Sequence, residues 1–196
     1  MGKIHDLLDE TLDRLEKLYE AGEGITGTPT GFIDLDELLS GLQPSALIIV
    51  GARPAMGKTA FALNVAAHAA VREQKPTLIF SLEMGHLELT QRMLCSEANV
   101  DAKNMRDGKL NDDDWNRISN GIGRLADAPM WIDDNPNLTI MEIRAKARRL
   151  KSQAGGLGLI VVDYLQLMSG RAGAENRQVE VSEISRGLKI LARELE

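Results

Sequence analysis

Apolar positions recur along this chain with two different periods. Between residues 3 and 20, Ile4, Leu7, Leu8, Leu12, Leu15, Leu18 and Tyr19 fall on one stripe at helical spacing. Acid-before-base pairs at i, i+4, Glu10 with Arg14 and Asp13 with Lys17, lie away from it. This predicts an amphipathic helix roughly 25 Å long. The glycine-bearing connector AGEGITGTPTG follows, and leaves two readings open. The helix packs on its own domain, or it reaches a neighbouring subunit. Residues 30–39 then predict a turn and a short helix carrying Phe32, Leu35, Leu38 and Leu39, with Gly41 as its C-cap.

From there the pattern changes. Continuous apolar runs at 46–50, 77–83, 129–134 and 157–163 predict buried strands. Helical patterns lie between and after them, at 58–72, at 87–98, after Asn111, after Thr139 and at 181–195. Asn111 with the acids at 112–114 predicts a capped helix start rather than a metal site. Thr139 with Glu142 is a capping-box signature, and Trp115 is expected to anchor its helix to the core. Strand, helix, strand at this spacing predicts parallel βαβ crossovers, and so an α/β fold.

Composition narrows this little. The 196 residues are 43% hydrophobic and 27% charged, which suits one globular core. Net charge is −6, so nothing in the total favours a polyanionic partner. Cys95 is the only cysteine, which excludes an intrachain disulfide, fits a reducing compartment and reads as a small buried hydrophobe. The first 20 residues are unlike a secretory signal and no run is long enough to span a membrane, so a cytoplasmic protein is expected.

The chemistry concentrates in ALIIVGARPAMGKTAFALN, residues 46–64. Strand, glycine turn, Lys-Thr and helix is the order of a phosphate-binding P-loop. Backbone N–H groups of Ala52, Arg53, Pro54–Gly57 and the helix start, through Ala60, would cradle phosphate oxygens, Pro54 excepted because it has no N–H. Met56 and Ala55 lie within that turn. Lys58 would reach the β- and γ-phosphates and Thr59 would ligate Mg²⁺. Ala52 stands where the usual pattern has its first glycine. Asp163 ends the apolar run 159–162 and matches a Walker B acid, which orients Mg²⁺ and its waters. Glu83 ends another apolar run, at the sheet edge where ligands bind in open α/β folds. It is either a solvated strand-end or capping residue, or part of the site. His68 reads as a helix-face residue. The basic residues Arg144, Lys146, Arg148, Arg149 and Lys151 read as a solvated face, with nucleic acid or an acidic neighbour as the alternatives. Residues 170–178, GRAGAENRQ, predict an irregular mobile loop holding Arg171 and Arg177.

ARPAMGKTAFALN, FSLEM, LIVVDYLQLM and ENRQVEVSEISRGLKILARELE occur in order, and TGTPTGFIDLDELLSGL precedes them. Together they resemble the RecA-like ATPase domain of DnaB-type replicative DNA helicases, over nearly the whole chain. The resemblance implies a RecA-like P-loop NTPase core, α/β with a mostly parallel sheet flanked by helices, incomplete on its C-terminal side. Ala52 is also what the family shows. By resemblance, Lys58, Thr59 and Asp163 hold ATP and Mg²⁺, and Glu83 polarises the attacking water. Gln166 would lie near the site and relay nucleotide state, and Arg171 and Arg177 would face DNA. Residues 1–22 become a linker helix docking on the adjacent subunit of a hexameric ring, and 23–196 the N-terminal portion of the ATPase domain. Single-stranded DNA, primase and a helicase loader are the implied partners, and a nucleoid-associated cytoplasmic location the implied place.

The family's N-terminal domain is not recognisable here, nor is its later strand, DNA-binding loop or arginine finger. A fragment is therefore expected, with an exposed sheet edge, weak ATP binding and little unwinding by itself. Two other functions compete: a RecA-like recombination or assembly-switch ATPase, and a non-catalytic nucleotide-binding module. The last predicts that Glu83→Gln changes nothing.

Overall fold

A computed structural model describes residues 3–20, 24–165 and 177–196. Gln166 and Arg171 lie outside these residues. So do the side chains of Arg177 and of the Glu10–Arg14 pair.

The core is a three-stranded parallel sheet ordered β2-β1-β3. β1 is Thr77–Ser81, β2 is Met130–Asp133 and β3 is Leu159–Asp163. β1 is central, buried along its whole length, and pairs Ile79 with both Ile132 and Val161. A strand covered on both faces needs apolar residues throughout, which is why TLIFS does not alternate.

Alternate residues feed two separate cores. Leu78, Phe80 and Leu82 face α7 (Ile140–Ala154) and α8 (Arg177–Leu195), among Ile143, Ala147, Ile184 and Leu188. Ile79 faces α3 (Lys58–Ala67) and α4 (His86–Ala98), among Leu63, Ala66, Leu89 and Met93. A smaller cluster joins Ala98 and Val100 to Ile118 of α6 (Asp112–Ala126). A five-residue helix α5, Ala102–Arg106, lies between them and is not evident in the sequence pattern. Glu97 ties three elements together: it accepts Arg72 at 3.0 Å and also pairs with Arg124.

The entry segment clasps α3. Thr28 and Leu42 exchange backbone bonds at 2.8 Å around α2 (Ile33–Leu39). The buried Asp36 carboxylate accepts Thr30 N–H at 2.7 Å and Gly31 N–H at 3.1 Å. Phe32 stacks on Phe61 of α3, centroids 5.2 Å apart. Gly31 has φ +84°, and a Cβ there would sit 2.6 Å from Nδ1 of His68, so the approach requires glycine. His68 begins a π-helical turn, His68–Arg72, that ends the P-loop helix, and its Nε2 stands 3.6 Å from Glu73.

Three sequence expectations change. Residues 46–50 form no strand: Ile48, Ile49 and Val50 are exposed and only Leu47 packs on the core. The run ladders with no strand among the described residues, although β3 pairs only with β1 and leaves its outer edge open. Trp115 is 57% exposed; the buried line of α6 is Asp114, Ile118 and Gly121, and Trp115 lies beside it. The residues 177 and 178, expected in a loop, belong to α8. The basic face of α7 is largely exposed, as expected, and also paired: Arg144 and Arg148 with Glu194, Lys146 with Asp133, and Lys151 with the Leu195 carbonyl. Cys95 is buried as expected, its thiol pushed up by desolvation and then by Asp101. The stripe of α1 (Ile4–Glu20) is exposed from Ile4 to Tyr19.

Both anticipated caps form. Asn111 and Asp114 close a capping box on α6, and Thr139 and Glu142 close one on α7. Thr139→Ala should lower unfolding free energy by about 1 kcal/mol in a denaturant titration. The Glu142 carboxylate accepts the Thr139 backbone N–H at 2.8 Å and its hydroxyl at 3.0 Å, and these bonds, the backbone one foremost, hold it below the usual glutamate range. A depressed folded-state pKa stabilises fully above the unfolded value, near 4.5, and the gain is lost as pH falls from there through the folded value. The thermal midpoint followed down through that window should fall less steeply in Glu142→Gln than in the parent chain.

Candidate functional site

A parallel sheet sends every strand's carboxyl end to one rim, and the candidate residues gather there. α3 starts at Lys58 behind Gly57, whose φ is +84°. Met56 N–H bonds the Arg53 carbonyl at 3.3 Å, closing the turn, and Phe61 N–H bonds the Gly57 carbonyl at 2.9 Å, the first bond of the helix. Unlike α6 and α7, α3 has no side-chain cap and no acid in its first turn. Its leading N–H groups and the positive end of its dipole are left for an external anion.

Asp163 ends β3 and is buried. Its Oδ2 accepts the Thr59 hydroxyl at 2.7 Å, and its Oδ1 lies 3.3 Å from the Lys58 ammonium. Lys58 Nζ also stands 3.8 Å from the centroid of the Tyr164 ring, a cation–π contact. Lys58 and Thr59, neighbours in the chain, thus meet the strand-tip acid Asp163, 104 residues after Thr59, at one point. The hydroxyl and carboxylate are hard oxygen donors at a separation that fits Mg²⁺. The ammonium and the uncapped helix start suit phosphate oxygens.

Glu83 lies on the same rim. Ser81 is the register partner of Asp163, and Leu82 N–H donates to the Asp163 carbonyl at 2.8 Å. Glu83 follows directly, exposed, in the loop from β1 to α4. Ala52, Arg53, Pro54, Ala55, Met56 and Gly57 line the exposed turn, Ala55 with φ +62°. Arg177 opens α8.

A family-level comparison matches residues 27–196 to the DnaB-like helicase C terminal domain. The chain belongs to this family. It is 54% identical over 194 residues to the replicative DNA helicase DnaB of Geobacillus stearothermophilus, and 50% identical to replicative DNA helicase DnaC of Bacillus subtilis. Each match covers 98% of this chain and 42% of the relative, so the chain spans less than half the length of these relatives. Among solved structures, a DnaB-like replicative helicase, described with its interactions with primase, superimposes with a TM-score of 0.87 at 31% identity, covering the whole chain and 46% of the helicase's. A second, solved as an ATPase domain, gives 0.91 at 32%, over the whole chain and 68% of that domain's.

As a DnaB-like domain, the chain carries two rim residues that its sequence did not single out. Tyr164 follows Asp163 directly, and its ring packs on the Lys58 ammonium. Asp134 ends the β2 region and contacts the loop that holds Glu83. The signal for Asp134 was present, an acid just past an apolar strand, as at Glu83 and Asp163.

At Gly57 an added Cβ would meet nothing within 4 Å, so its constraint is conformational. Gly57→Ala should cost about 1–2 kcal/mol of stability in chemical denaturation, from the left-handed backbone alone. It should also weaken binding of a fluorescent ATP analogue.

Proposed function

We propose that this chain is the ATP-binding portion of a replicative DNA helicase motor. The observation that carries the reading is the convergence of Thr59, Lys58 and Asp163, at 2.7 and 3.3 Å, beside an uncapped helix start. ATP with Mg²⁺ is the ligand. The Ala52–Ala60 backbone, with its N–H groups, binds the phosphates, Lys58 neutralises the β- and γ-oxygens, and Thr59 and Asp163 hold the metal. Mg²⁺ supplies charge neutralisation on the transferring phosphoryl group.

Glu83 takes the remaining role. An exposed carboxylate just past the β1 tip can orient and polarise an attacking water. Gln166, three residues after Asp163 in sequence, is assigned the relay of nucleotide state, and Arg171 and Arg177 are assigned contact with single-stranded DNA. Residues 1–22 serve as a linker helix and 23–196 as the ATPase portion. The exposed apolar stripe of α1 supports docking on a neighbouring subunit of a hexameric ring. Primase and a loader are the further partners, in a cytoplasmic, nucleoid-associated setting. No helix among the described residues is long and apolar enough to cross a membrane.

Glu83→Gln should leave nucleotide affinity unchanged and reduce Mg²⁺-dependent ATP turnover by about a hundredfold or more. Lys58→Ala should abolish nucleotide binding. Calorimetry and single-turnover hydrolysis of γ-labelled ATP separate the two. Full turnover in Glu83→Gln would refute the assignment, and strand unwinding by the 196-residue chain alone would refute the expectation that it needs the rest of the protein.

A further inference from the structure

The β2 region ends in two adjacent aspartates that serve opposite faces of the sheet. Asp133, the last residue of β2, turns toward α7. It accepts the Lys146 ammonium, and its Oδ1 accepts the Asn135 N–H at 3.1 Å. Asp134, one residue on, reaches the other face. Its Oδ2 accepts the backbone N–H of His86 at 2.9 Å and lies 2.7 Å from Nδ1 of the same residue. One carboxylate oxygen therefore grips a single residue at two points. The two bonds, the backbone one foremost, hold the Asp134 carboxyl below the usual aspartate range.

His86 is the first residue of α4 and the far end of the loop that carries Glu83. The loop is tied at three places. Leu82 N–H donates to the Asp163 carbonyl at 2.8 Å. The Ser81 hydroxyl accepts Met84 N–H at 3.2 Å and donates to the Met84 carbonyl at 2.8 Å. His86 is held by Asp134, and this tie comes from 48 residues away. Gly85 offers α4 no side-chain cap of its own, so the capping bond is supplied from β2's end. Glu83 is exposed, so the placement of its carboxylate depends on where these ties put its backbone.

We propose that Asp134 is a positioning residue: by gripping the N–H and imidazole of His86, it fixes the far end of the 82–86 loop and so the stance of Glu83. This rests on the reading of Glu83 as the group that polarises the attacking water. A carboxylate displaced by about an ångström from its productive position loses on the order of a hundredfold in rate.

The test compares Asp134→Ala, Asp134→Asn, His86→Ala and Glu83→Gln in the full chain. Hydrogen exchange is read at the amides of the 83–87 segment, together with ATP affinity and single-turnover hydrolysis. Asp134→Ala should raise exchange at the His86 amide by about tenfold. It should slow hydrolysis by about ten- to a hundredfold, with ATP affinity within about twofold of the parent. Asp134→Asn keeps an oxygen for the His86 N–H and should recover most of both losses. His86→Ala keeps the backbone bond and should lose less than Asp134→Ala. Unchanged exchange in Asp134→Ala overturns the tie. A lowered melting midpoint with unchanged hydrolysis reduces Asp134 to a helix cap and overturns the proposal. Hydrolysis retained in Asp134→Ala but lost in Glu83→Gln overturns this inference alone, whereas hydrolysis retained in Glu83→Gln overturns the reading beneath it.

Discussion

A single buried carboxylate holds this site together. Asp163 takes a hydroxyl on one oxygen and an ammonium on the other, and both donors come from the first two residues of α3. Burying a lone carboxylate would be costly. The two partners offset that cost, and in doing so they lock the start of the P-loop helix to the tip of β3. The same residue's backbone carbonyl receives Leu82, which extends the junction to β1. Three elements are thereby registered to one another at the point where chemistry would occur.

That junction is only as firm as the layers behind it. The sheet separates two apolar clusters that share no buried side chain, one under α7 and α8, the other under α3 and α4. α3 is fastened again from outside by the Phe32–Phe61 stack and by the close approach of Gly31 to His68. Parallel pairing then does the rest, because it delivers the ends of all three strands to the same rim.

Much of this was legible in the sequence, for a definite reason. The capping boxes at Asn111 and Thr139, the strands at 77–81 and 159–163, and the glycine turn that opens α3 are local signals, encoded within a few positions. What escaped depends on distant partners. The run 46–50 is as apolar as any strand, but hydrophobicity does not say whether a segment hydrogen-bonds to a neighbouring strand. Trp115 is large and aromatic, yet the face a helical residue presents is set by its neighbours, and Asp114 and Ile118 took the inner side. The ion pairs of the exposed α7 cations have no local signal, because Glu194 is 46 positions from Arg148. Tyr164 and Asp134 were unremarked because the ammonium and imidazole they meet lie on other elements.

The pairing of α7 with α8 also changes how this molecule should answer to ionic strength. Cations that would shed counterions onto a polyanion are here occupied by Glu194 and Asp133. Added electrolyte therefore acts on α7 first by screening these exposed pairs, and far less on the buried junction at Asp163.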